Sequence, residues 1–289
     1  MEYINFESGI LEKKAKSEVK KISETLLAKV GNRIFVSKEG AEKVTKIRIH
    51  SSDFTNEDLK ELSHFPQLKV LEIFSFGLTD LKNIPSLKQL ETICLRSGEV
   101  SLDLRPLEHF SNLKKIDMEG YEITDLSPLS GMKKLKSLNM GYNNINDLSA
   151  LHDMSSMTEL VLNTNRIADI SPISTLNKLK TLYLEGNKIV DISSLEGKKE
   201  LKTLRLHSNM ISDITPLASC ENLVKLEIFK NKIESIEPIL HLPHLEYVVT
   251  DSNKAFEPLS DGFEKTISKV FNGVSDRTGY EIWVFRKRV

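Results

Sequence analysis

LKSLNMGYNNINDLSALHDMSS (135–156), MTELVLNTNRIADISPISTLNK (157–178), LKTLYLEGNKIVDISSLEGKKE (179–200), LKTLRLHSNMISDITPLASCEN (201–222) and LVKLEIFKNKIESIEPILHLPH (223–244) follow one another without a gap. Each is 22 residues long and fits LxxLxLxxNxIxDIxPLxxLxx. The landmark asparagine recurs at Asn143, Asn165, Asn187, Asn209, Asn231 and Asn253, six positions in strict register. A fixed period of this length marks a repeat architecture, in which each unit buries its apolar face only against its neighbours.

Outward from this block the register persists with substitutions. Toward the N-terminus, units begin at Val44, Leu68, Leu90 and Leu113, with Ser52, Phe76, Gly98 and Tyr121 at the asparagine position. The array therefore spans about nine full units and a tenth strand, residues 44–254. Within a unit, LxxLxL alternates: Leu182 and Leu184 take one face of a short strand, and Thr181, Tyr183 and Glu185 the other. The returning Ile189, Ile192 and Leu195 close over the strand leucines. The asparagine amide, able to donate and accept together, suits the bend after the strand, where backbone groups would otherwise be buried unpaired. An internal ladder from Asn143 to Asn253 is expected. The D-I-x-P segments, Asp125–Pro128, Asp169–Pro172 and Asp213–Pro216, fit capped turns into short tight stretches. So few residues return the chain to the next strand that the far side should be narrow, made of 3₁₀ turns or irregular chain.

Both ends depart from the period. Residues 10–30 place Ile10 or Leu11, Ala15, Val19, Ile22, Leu26 and Val30 on one helical stripe, with Gly31 as a stop, and predict a helical cap within residues 1–43. In residues 255–289 the spacing of Leu259, Phe263, Ile267 and Phe271 predicts a helix and YEIWVF at 280–285 a strand, a helix–strand cap for the other end. Arg286, Lys287 and Arg288 form a basic tail.

The motif LxxLxLxxNxIxDIxPLxxLxx resembles the 22-residue class of leucine-rich repeats, and DISPI at 169–173 and DITPL at 213–217 are similar to those of bacterial internalin-like proteins. The resemblance implies an α/β solenoid, a curved array with a parallel β-sheet on its concave face and a helical N-terminal cap. It also implies that protein partners bind the concave face.

The 289 residues carry 40 Lys+Arg and 41 Asp+Glu, a formal net charge of −1, so no global field gathers polyanions. Arg48, Glu72, Asp117, Arg205 and Glu227 mix both signs down the central column of the sheet's outer face, which suits a protein partner and not a nucleic acid. Tyr183, Glu185, Arg205, His207, Glu227, Phe229 and Tyr247 gather toward the C-terminal half and are the candidate partner-binding patch, with Tyr183 and Phe229 as its exposed aromatic anchors. Cys94 is expected on the surface and Cys220 in the core, with no disulfide between them. His207 and Glu185 could pair as a base and its orienter, but no nucleophile, phosphate loop or third metal ligand accompanies them.

The chain is thus expected to be a non-catalytic protein-recognition module without metal or cofactor, and a monomer in the absence of its partner. The alternatives are a regulatory or scaffolding subunit of a separate enzyme such as a phosphatase, and glycan binding. No apolar run is long enough for a membrane helix. The sequence as it stands reads as cytoplasmic, or as secreted or surface-associated if a signal peptide has been removed.

Overall fold

The computed structural model describes residues 2–23, 27–30, 33–96, 100–251, 263–270 and 280–287. It divides into two compact units, 1–143 and 144–289.

The first unit opens with β1 (Tyr3–Ile4), α1 (Gly9–Ile22), β2 (Leu27–Val30), β3 (Arg33–Ser37) and α2 (Lys38–Glu42). Ser8 caps α1 by accepting from the Leu11 N–H, and Leu11, Ala15 and Val19 are fully buried. The helix expected over 10–30 stops at Ile22, which is 47% exposed. Ser23 turns extended while its N–H still bonds the Val19 carbonyl, and residues 27–30 form a strand instead. The cause is tertiary: the adjacent β-branched and aromatic run Arg33–Ser37 pairs antiparallel with β2 on one side and β1 on the other, satisfying backbone groups that helical spacing left open. The N-terminal cap is therefore a helix with a small antiparallel sheet. Leu26 and Gly31 lie outside the described residues.

Five parallel strands follow in this unit: β4 (Lys46–His50), β5 (Val70–Phe74), β6 (Thr92–Arg96), β7 (Lys115–Asp117) and β8 (Ser137–Asn139). Their register aligns Arg48, Glu72, Cys94, Asp117 and Asn139 in one row. Inward residues alternate with these: Ile47, Leu71, Ile93, Ile116 and Leu138 are fully buried. Cys94 departs from expectation, being only 9% exposed. Its neighbours on both sides carry longer, ion-paired side chains, Glu72 bonded to Arg48 and Asp117 to Arg96, and a short thiol between them is shielded. Burial first, then the Asp117 charge, pushes its thiol above the ordinary value.

In the second unit β9 (Glu159–Val161), β10 (Thr181–Tyr183), β11 (Thr203–Arg205), β12 (Lys225–Glu227) and β13 (Tyr247–Asp251) are parallel. One-turn helix α3 (Glu237–Leu240) precedes β13. The returning segments are short 3₁₀ turns, among them Ser171–Thr175, Ser193–Leu195 and Thr215–Ser219. Asp169 and Asp213 accept from the Ser171 and Thr215 N–H at 2.7 and 2.8 Å, just before Pro172 and Pro216 remove a further donor.

The residue before each landmark position bends the chain into the left-handed region: φ is 54° at Tyr142 and Thr164, 70° at Gly186, 58° at Ser208 and 54° at Lys230. Only glycine adopts this freely, so the other four positions are strained and need holding. The asparagine that follows does so. Asn187 Oδ1 accepts from the Ile167 N–H at 3.0 Å, and its Nδ2 donates to the Leu162 and Leu184 carbonyls at 3.0 Å. Asn209 and Asn231 repeat this pattern one and two coils on, and Asn143 makes its version within the first unit. Asn165 accepts from the Ile145 N–H and donates to the Leu162 carbonyl. Asn253 and Gly98 lie outside the described residues. At the unit starting with Leu68 the position assigned from sequence is shifted: Phe76 is 77% exposed, and the buried Ser75 hydroxyl donates to the Phe54 carbonyl and accepts from the Gly77 N–H. A hydroxyl one residue earlier can reach the bend where a phenyl ring cannot satisfy it.

The helix expected from Leu259 to Phe271 is absent where the structure describes it. Residues Phe263–Val270 form strand β14, paired antiparallel with β15 (Tyr280–Lys287), which pairs antiparallel with β13. Helical spacing of four apolar residues is also compatible with a strand when an open sheet edge is available, and the row of unpaired groups on β13 and β15 decides it. Leu259 and Phe271 are outside the described residues.

One buried residue breaks the apolar pattern. Met132, Met154, Leu176, Lys198, Cys220 and Leu242 occupy equivalent repeat positions, and Lys198 is 1% exposed. Its ammonium donates to the Ser174 carbonyl and, at 3.3 Å, to Asn177 Oδ1. Burial lowers its affinity for a proton, so between the folded and ordinary pKa the unfolded chain binds more protons and stability rises with pH. Lys198→Met is expected to match or exceed the parent stability by about 1 kcal/mol and to abolish that alkaline rise, as denaturant melts across pH will measure.

Candidate functional site

The patch expected from sequence lies entirely within the second unit, on the solvent face of β10 to β13. Register sets Val161, Tyr183, Arg205, Glu227 and Val249 in one row. The next row follows from strand alternation and contains Glu185, His207 and Phe229. Arg205 is its hub. The guanidinium lies 4.3 Å from the Tyr183 ring centroid, 3.2 Å from Glu227 Oε1 and 4.0 Å from Glu185 Oε1. Charge and ring contacts surround it on three sides, and its buried Nε makes no hydrogen bond. Glu185 is the complementary group: burial raises its carboxyl above the usual range, and its buried Oε2 has no hydrogen-bond partner.

His207 stacks on Phe229 at 4.1 Å between centroids, 10° from parallel, and its Nδ1 meets Ser208 Oγ at 3.2 Å. Burial, helped by Arg205 and Lys230, pulls its pKa down to about 4, so the ring is neutral at ordinary pH. The base-and-orienter pairing with Glu185 is not what this geometry offers, because the imidazole is committed to Phe229 and Ser208. Among the described residues no group of three or more His, Cys, Asp or Glu converges as a metal ion requires.

Phe229 corrects a further expectation. It is 9% exposed, packed with Val249, Ile282 and Val284, and Tyr247 lies against the same cluster. The cover comes from β15, whose pairing places Val284 opposite Val249 and Ile282 opposite Asp251. Phe229 is thus the floor of the patch and not an exposed anchor. Arg286, 5.9 Å from the Tyr247 ring centroid, marks its outer edge. Ile282 and Val284 escaped the sequence reading because the face each strand residue takes depends on the register with β13, which no local pattern reveals.

A family model described as Leucine Rich repeats (2 copies) matches residues 111–153, 133–176, 155–197 and 177–219. No curated protein matches the chain. Among solved structures, internalin C2 of Listeria monocytogenes is 23% identical with a TM-score of 0.61, over 85% of this chain and 94% of that one. The internalin InlF of the same organism is 25% identical with a TM-score of 0.61, over 83% and 74%. Listeria InlP reaches a TM-score of 0.65 at 16% identity, over 97% and 87%. With its strand and 3₁₀ alternation, its asparagine-bonded bends and these likenesses, the chain has a leucine-rich repeat fold, matched by the family model within residues 111–219 and structurally similar to the bacterial internalins.

Proposed function

We propose that the chain is a protein-recognition module whose partner docks on the solvent face of β10 to β13. The observation that carries this reading is the Tyr183–Arg205–Glu185 centre: a guanidinium over an aromatic ring, beside a buried carboxylate oxygen with no donor. A partner presenting an N–H or hydroxyl donor completes it, and Arg and Tyr are the residue types that dominate interface energies. Glu227, His207 and Tyr247 form the surroundings of this centre, and Phe229 supports it from below. The segments 1–43 and 255–289 serve as end caps that keep the terminal coils from exposing their leucines.

Glycan stacking is disfavoured by the same geometry, because Arg205 covers the Tyr183 ring and His207 covers that of Phe229. Among the described residues no helix is long and apolar enough to cross a membrane. The compartment in which the partner is met, cytoplasmic or cell-surface, is read by pull-downs from the two fractions in parallel. Because Phe229 belongs to the folded cluster, the test pairs Tyr183→Ala with Arg205→Ala and leaves Phe229 intact. Each truncation should weaken partner binding by about 2 kcal/mol or more, measured by calorimetry on the captured partner, with little change in melting temperature. Unchanged affinity in both variants sinks the patch.

A further inference from the structure

The words IRIH (47–50) and LEIF (71–74) in the first unit reappear as LRLH (204–207) and LEIF (226–229) in the second. The geometry recurs with the words. Arg48 pairs with Glu72 as Arg205 does with Glu227, and His50 stacks on Phe74 at 4.4 Å and 4° as His207 does on Phe229. What differs is the neighbour on the preceding side. Arg205 has a second carboxylate there, Glu185, whereas beside Arg48 helix α1 supplies Lys13 and Lys14.

The result is a cleft of 410 Å³ against β4, lined by Lys13, Lys14, Ser17, Arg48, His50 and Ser51 among others. Among the described residues no carboxylate lines it. Its three cations are Lys13, Lys14 and Arg48; Glu18 is shared by Lys14 and Lys21 and Glu72 by Arg48 and Lys46, and Lys13 has no ion pair among the described residues. Glu12 is taken by Lys16 at 2.7 Å. At the N-terminus of α1 the Ser8 hydroxyl accepts from the Leu11 N–H, and the Glu61 carboxylate, accepting from the Ser8 N–H just before the helix, offsets the positive end of the helix dipole.

We propose that this cleft is a binding site for a phosphate monoester. Ammonium, guanidinium, hydroxyl and imidazole groups all offer protons there. A phosphoryl group brings three acceptor oxygens and close to two negative charges, using more of those donors than a carboxylate can. The volume suits a small phosphorylated molecule or a single phosphorylated side chain. This site is in the first unit and does not depend on the protein-docking face of the second.

The test is titration of the full chain at low ionic strength with inorganic pyrophosphate, with free phosphoserine, and with a phosphoserine peptide beside its unphosphorylated form. Saturable binding of the phosphorylated probes is expected, together with movement of the His50 ring resonances. Lys13→Ala/Lys14→Ala should weaken it on the order of tenfold while leaving the melting temperature unchanged, because Lys13 is exposed and the buried face of α1 is untouched. Arg205→Ala should leave it unaltered. A peptide that binds more tightly than free phosphoserine identifies a phosphorylated protein as the source, and equal binding identifies a small phosphate ester. No saturation by any phosphorylated probe at low millimolar concentration overturns the proposal, and so does equal affinity in the double-lysine variant.

Discussion

Asn187→Ala is expected to destabilise the chain by about 1–3 kcal/mol and to lower its melting temperature by several degrees. Three backbone groups from two successive coils meet on that one amide: the Ile167 N–H and the Leu162 and Leu184 carbonyls. Alanine leaves them without a partner in a partly enclosed bend, where water can restore only some of the bonds. Because each coil is stabilised by its neighbours, the effect should spread to amide exchange in the coils on both sides. Asn187→Asp keeps the acceptor for the Ile167 N–H but sets a carboxylate oxygen against the Leu162 and Leu184 carbonyl oxygens, and should be no more stable than the alanine variant. A melting curve for Asn187→Ala that overlays the parent would show that the ladder contributes nothing to stability.

Phe285→Ala is expected to cost about 3–5 kcal/mol, the usual range for truncating a buried phenylalanine. The ring is fully buried, edge-on to Trp283 at 6.2 Å, in a strand bonded to β13 on one side and β14 on the other. Lys265 packs over the Trp283 ring on that same face, 3.0 Å from its centroid. Removing Phe285 should loosen β15 first, freeing the β13 edge and uncovering Phe229. Hydrogen exchange over residues 247–251 should therefore accelerate more than over residues 181–183. Uniform exchange along the second unit would show that the hairpin is not a local seal.

Much of the fold was legible because its information is local and periodic. The 22-residue spacing assigns strand, bend and 3₁₀ turn in each coil, and the alternation of Leu182 and Leu184 with Tyr183 predicts the observed burial. In-register stacking then brings equivalent repeat positions into one row, which is why Tyr183, Arg205 and Glu227 are neighbours as their spacing implies. The recurrence of IRIH and LRLH before LEIF was equally visible in the sequence, and marked the two related constellations.

Where the period ends, local pattern alone was insufficient. Helical spacing at both termini gave way to strands, because β3 and the open edge of β13 offered backbone partners that only the assembled chain brings near. The same hairpin turned Phe229 from an expected surface anchor into a buried floor, and the longer, ion-paired side chains on either side shielded Cys94. Sequence by itself thus determined the repeat, its register and the identity of the outward rows, since these follow from chain-local spacing. Tertiary structure decided which outward residues remain open and which cations are left in excess beside α1, since exposure and net local charge depend on neighbours distant along the chain.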